Sequence, residues 1–143
     1  MASAASVGKH PIHPMLVVFP LGLWVFSLAC DVVRLAGAGP AWSTVALYTM
    51  VGGIIGAMMA ALPGLVDLLT MPPGKPRRLG VWHMVLNVVA SAIFIVNALL
   101  RASNADATMP LVLSIVGVVL ITAAGWFGGE MVYVHGVGVD PRR

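Results

Sequence analysis

The sequence predicts an all-α integral membrane protein, a four-helix bundle, and three observations lead to that class. Hydrophobic residues make up 59% of the 143 residues and charged residues only 9%, with a mean hydropathy of +0.98. A soluble domain carries roughly 25% charged residues. Four apolar runs reach the roughly 20 residues that a helix needs to cross the hydrocarbon layer. With short connections these runs use the whole length, so the chain reads as a single transmembrane domain with no room for a separate soluble one.

The first span is expected over residues 14–36. Pro14 suits the first helical position, where a missing N–H costs nothing, and Pro20 should kink the helix one turn in. Gly37-Ala38-Gly39-Pro40 ends it. Ala36-Gly37-Ala38 has the small-x-small look of a leader cleavage site. The preceding run is nevertheless long enough to span and carries Asp31 and Arg34 at its far end, so it reads as a retained helix. Asp31 and Arg34 lie three residues apart, the spacing of an ion pair on a helix surface.

The second span is expected over residues 42–69, with Pro63-Gly64 as a kink, and residues 70–78 form a proline-rich basic loop. The third span covers 79–100, a polar loop follows at 101–108, the fourth span covers 109–134, and residues 135–143 form a tail. Lys9, Lys75, Arg77, Arg78, Arg142 and Arg143 lie on the side of the termini, against Arg34 and Arg101 opposite. The excess of basic residues places both termini in the cytoplasm, as a multi-pass protein of a bacterial inner membrane. The net charge of +3 and pI near 9.6 fit basic loops meeting anionic lipid, and no nucleic-acid partner is expected. One cysteine, Cys30, excludes an intramolecular disulfide and a cysteine-only metal site.

Small residues recur at four-residue spacing as Gly52, Gly56 and Ala60 on the second span and as Gly125 and Gly129 on the fourth. Such stripes let helix backbones approach closely in lipid. The expected partners are therefore the bilayer and a second copy of the chain in a homo-oligomer.

The chemistry-bearing residues gather at one membrane edge. His10, His13, His83 and His135 all fall on the side of the termini, with Asp67 and Glu130 nearby. Ionisable groups at membrane depth are costly and mark a site. In His10-Pro11-Ile12-His13-Pro14 each histidine precedes a proline, which favours an extended arm over a helix. His83, Asn87 and Ser91 share one face at four-residue spacing. Asp67 has the alternative of pairing with Lys75, Arg77 or Arg78. Glu130 follows Gly128-Gly129 in an apolar run, where a carboxylate needs a cation, a metal or a histidine nearby.

The expected ligands are His83 and His135, then His13 and His10, with Asp67 and Glu130 as further ligands or as groups that fix the imidazoles, and with Asn87 and Tyr133 supporting them. The cofactor is a haem b or a divalent metal ion, between which the residues do not decide. The sequence has neither a helical His-x-x-x-His nor a Cys-x-x-Cys-His attachment motif. No histidine lies in the outer half, which disfavours two stacked haems. A second reading is a proton-coupled carrier with Glu130, Asp67 and His83 as the relay. It is weakened by the absence of a convincing inverted repeat. A third is a non-catalytic assembly subunit.

Several motifs resemble those of the bacterial DUF2231 family: His10-Pro11-Ile12-His13-Pro14, Phe19-Pro20-x-Gly22 and Asp31 at the start, then Gly64-Leu65-Val66-Asp67 and His83 with Asn87. The fourth-span run Gly125-Trp126-x-Gly128-Gly129-Glu130-x-Val132-Tyr133-x-His135-Gly136-Val137-Gly138-Val139 is similar as well. The resemblance covers nearly the whole chain and implies a four-helix membrane protein of no established activity. Relatives joined to Rieske-type iron–sulfur domains imply electron transfer as the context and a redox partner of that type.

Overall fold

The structure is a computed structural model that describes residues 3–103 and 108–139. Among these residues are four helices long and apolar enough to cross a membrane: Ile12–Ala38, Ala41–Thr70, Lys75–Ser103 and Met109–Val134.

The first span has three pieces: α1 (Ile12–Leu16), α2 (Val18–Val33) and a π-helical turn, Arg34–Ala38. The break at Val17 follows from Pro20, whose missing N–H and ring disturb the turn before it. His13 is helical, not part of the extended arm expected from the two His-Pro pairs. Pro14 falls in the first turn of α1, where N–H groups have no helical acceptor in any case. The extended segment is confined to a short antiparallel ladder, β1 (Ser6–Val7) with β2 (His10–Pro11). Gly8 and Lys9 join these strands with φ of 55° and 67°, the double positive φ of a tight hairpin turn.

The second span is one helix, α3 (Ala41–Thr70), running through Pro63. α4 (Lys75–Ser103) starts earlier and ends later than the charge pattern suggests. Pro76 sits in its first turn, again at no cost in helical bonds. α5 (Thr108–Gly129) passes into a second π-helical turn, Glu130–Val134.

The inward faces follow a coiled-coil rhythm. On α4 they are Gly80, His83, Asn87, Ala90, Phe94, Asn97 and Arg101, and on α5 Pro110, Ser114, Gly117, Ile121 and Ala124. Steps of three and four alternate along both helices, the pattern of helices packed at a small left-handed angle. The core is Trp24, Met50, Ala90, Phe94 and Ile121. The Trp24 and Phe94 rings stack with centroids 4.2 Å apart and planes 15° apart. Each ring lies against a glycine: a Cβ on Gly53 would stand 2.5 Å from the indole, and one on Gly117 would stand 2.6 Å from the Phe94 ring. The opposite faces expose Tyr48, Met58, Leu62, Val88, Val119 and Trp126, as apolar solvent requires.

The small-residue stripes divide. Gly52 lies against Leu23 and Gly56 against Phe19 and Pro20, so α3 packs closely on the first span. Gly125 has nothing within 4 Å of an added Cβ, and Gly129 meets only Tyr133 of its own turn. The close approaches of α5 are made by Gly117 and Gly128 instead.

The expected Asp31–Arg34 surface pair is also corrected. Asp31 is buried and pairs with Arg101 of α4, Nη2 to Oδ2 at 2.6 Å, with side-chain exposures of 8% and 3%. Arg101 belongs to the helix, not to a polar loop, because its guanidinium finds further acceptors inside the bundle in Asn97 Oδ1 and Ser114 Oγ.

Candidate functional site

At the terminal end of the bundle, α1 and α4 each turn one histidine inward. The His13 and His83 rings meet edge to face, with centroids 6.0 Å apart and planes at 85°. His13 Nδ1 lies 2.8 Å from the Ala60 carbonyl of α3, and His83 Nδ1 lies 2.7 Å from the Ala124 carbonyl of α5. A carbonyl oxygen only accepts, so each Nδ1 carries a proton, and in the neutral ring Nε2 carries the lone pair. Each imidazole is thus fixed in orientation and tautomer by the neighbouring helix.

Both contacts depend on a missing side chain. A Cβ on Gly64 would stand 2.7 Å from His13 Nδ1, and one on Gly128 would stand 3.2 Å from His83 Cε1. In each case the glycine lies four residues after the alanine whose carbonyl receives the bond. The turn that supplies the acceptor is therefore also the turn that makes room for the ring.

Asn87 extends the site along α4. Its Nδ2 donates to the His83 backbone carbonyl at 2.8 Å and approaches His83 Nε2 at 3.2 Å. Ser91 Oγ donates to the Asn87 carbonyl at 2.7 Å, a bond within the helix, and His83, Asn87 and Ser91 are all half-buried.

The other expected ligands go elsewhere. Asp67 accepts Ser3 Oγ at 2.7 and 2.8 Å and the Ala5 amide at 3.0 Å. It ties the N-terminal segment to α3 and pairs with none of the three loop cations. Glu130 faces Lys75 Nζ at 3.8 Å. His10 is exposed on β2, and Tyr133 is 90% exposed. His135 closes the second π-helical turn, and its Nε2 is buried with no hydrogen-bond partner among the described residues. Among the described residues no group of three or more His, Cys, Asp or Glu is placed to hold a metal ion. The six-residue cluster is thus reduced to one pair of imidazoles. The residues that the sequence does not assign to the site are the acceptors and the space-makers: Ala60, Gly64, Ala124 and Gly128.

Comparison with curated proteins and with solved structures finds no match. The family model described as "Predicted membrane protein (DUF2231)" matches residues 9–141. That match takes in α1, both imidazoles, both glycines beside them and all four spans, and the chain belongs to the DUF2231 family of predicted membrane proteins.

Proposed function

We propose that this multi-pass membrane protein holds one haem iron between His13 and His83 and works in electron transfer. The observation that supports the reading is the pair itself: two inward imidazoles, 6.0 Å between centroids, each with Nδ1–H held by a backbone carbonyl. Metal-binding histidines characteristically give their other ring N–H to such an acceptor, which fixes the ring and raises the basicity of the ligating nitrogen. Helix bundles build cofactor sites from side chains on facing helices in this way.

The number of donors favours haem over a bare divalent ion. A structural or catalytic zinc site takes three or four protein ligands, and Asp67 and Glu130 are engaged elsewhere. Haem iron would need only two ligands from the protein, which His13 and His83 would provide. The iron would supply one-electron chemistry. The chain's own residues would hold two Nε2 lone pairs in place and keep the surroundings apolar, and both features set a reduction potential. By the family resemblance, the electron partner is a Rieske-type protein.

The carrier reading draws on the polar face His83–Asn87–Ser91 of α4. Further along that face Ala90 and Phe94 are fully buried in the apolar core, which interrupts any polar path through the bundle.

The test is an absorption spectrum of the detergent-purified protein, ferric and dithionite-reduced, with iron analysis of the same sample. A Soret band that shifts on reduction, lost in His13→Ala and His83→Ala, is the expected result. A protein folded by circular dichroism that carries no haem and takes up none of added ferric haem b overturns the reading.

A further inference from the structure

Several contacts of the first two helices recur in the last two. Asp31 and Arg101 are 70 residues apart, and the same interval separates His13 from His83, Trp24 from Phe94 and Ser27 from Asn97. A second constant interval separates Ala46 from Pro110, Gly53 from Gly117, Ala60 from Ala124 and Gly64 from Gly128.

Three kinds of contact within the first helix pair have a counterpart in the second. His13 bonds the Ala60 carbonyl and crowds Gly64, while His83 bonds the Ala124 carbonyl and crowds Gly128. Trp24 covers Gly53 as Phe94 covers Gly117. Ser27 Oγ donates to the Ala46 carbonyl at 2.7 Å as Asn97 Nδ2 donates to the Pro110 carbonyl at 2.9 Å.

Equivalent residues also touch each other. His13 meets His83, Trp24 stacks on Phe94, and Asp31 pairs with Arg101. Self-matching contacts of this kind are the mark of a two-fold interface, in which equivalent positions meet at the axis. The spans concerned run in the same direction, so the repeat is parallel, with its axis along the bundle.

We infer that the chain is a fused pair of equivalent helical hairpins, and that His13 and His83 are matched positions beside the axis between them, which would serve as equivalent ligands to one group. The second half of this statement rests on the haem reading. The first half stands on the contacts alone. The halves differ where identity would be unfavourable. Two aspartates or two arginines at the far end of the axis would repel, and the Asp31–Arg101 combination turns that position into an attraction. They differ again beside the imidazoles, where Asn87 stands in one half and Val17 in the other.

The test uses the full-length protein labelled with 15N-histidine in detergent micelles, with His10→Gln and His135→Gln to assign the ring signals. Ferric haem b is then titrated into the wild type, His13→Ala and His83→Ala. Two rings in the Nδ1–H tautomer, with two-imidazole haem spectra lost to the same extent in both variants, are expected. An Nε2–H tautomer at either ring overturns the equivalence, as does a full two-imidazole spectrum surviving one substitution. Matching tautomers with no haem uptake support the equivalence and overturn the haem reading, so the two failures are distinguishable.

Discussion

Asp31 and Arg101 join the first and third spans by two parallel hydrogen bonds, Nη1 to Oδ1 at 2.7 Å and Nη2 to Oδ2 at 2.6 Å. The planar fork matches the carboxylate, a geometry that lysine does not reproduce. Asn97 and Ser114 take further guanidinium protons and are themselves linked, Asn97 Nδ2 to Ser114 Oγ at 2.9 Å. The charges are therefore paired and hydrogen-bonded away from lipid, which is the condition for keeping them at membrane depth.

Removing one partner is expected to be far worse than removing both. Asp31→Asn or Arg101→Met leaves an uncompensated buried charge or its orphaned donors and should cost about 3–5 kcal/mol. The Asp31→Leu/Arg101→Met double variant should recover most of that loss, because well-packed apolar replacements of a buried pair are often neutral or stabilising. Thermal unfolding in detergent, followed by circular dichroism, measures the difference. A double variant as unstable as the single ones would show that shape, not charge, is what the pair provides.

The Lys75–Glu130 pair is the opposite case. At 3.8 Å, with side-chain exposures of 60% and 30%, it is screened and loosely held. Glu130→Gln should shift stability by about 0–1 kcal/mol, and the shift should shrink as salt is raised. A large, salt-independent loss in the same melting experiment would assign Glu130 a partner beyond Lys75.

The span count and the polar face of His83, Asn87 and Ser91 were legible because composition and four-residue spacing are local properties of the sequence. The Asp31–Arg101 pair was not, since Arg34 is nearer in sequence and only the meeting of α2 and α4 side chains across the core brings Arg101 to Asp31. The step from His13 to Pro14 favours an extended His13, but α1 begins at Ile12 and takes Pro14 into its first turn, so His13 is helical. The repeat was present in the residues but concealed. Of residues 13–31 and 83–101, only His13/His83, Leu16/Leu86 and Val18/Val88 are identical. What is preserved is the role of each position, an aromatic over a glycine or an imidazole on a carbonyl, and roles become visible only through contacts.

The glycines beside the imidazoles give a graded prediction. Gly64→Ala puts a methyl 2.7 Å from His13 Nδ1, so the ring must leave the Ala60 carbonyl, at a cost of about 1–3 kcal/mol for overpacking. Gly128→Ala meets His83 Cε1 at 3.2 Å and should cost less. Gly125→Ala, with nothing within 4 Å, should be neutral or gain up to about 1 kcal/mol of helix propensity. The order of melting temperatures should run Gly125→Ala, Gly128→Ala, Gly64→Ala from highest to lowest. A reversal of the last two would mean that the Ala60 turn yields more easily than the Ala124 turn.

Asn87 separates the haem reading from the carrier reading. Its amide donates to the His83 backbone carbonyl at 2.8 Å and only weakly approaches Nε2 at 3.2 Å. On the haem reading, Nε2 must leave that second contact in order to bind iron, and Asn87 works against ligation at His83. Asn87→Ala should then lower the stability of the haem-free protein by about 1 kcal/mol, the worth of one hydrogen bond, while leaving affinity for ferric haem b equal or higher. On the carrier reading, the amide belongs to the polar path itself, and the same substitution should abolish proton-coupled uptake in vesicles. Haem titration and a vesicle pH assay on one preparation give opposite signatures. A loss of haem affinity in Asn87→Ala would count against ligation through His83 Nε2.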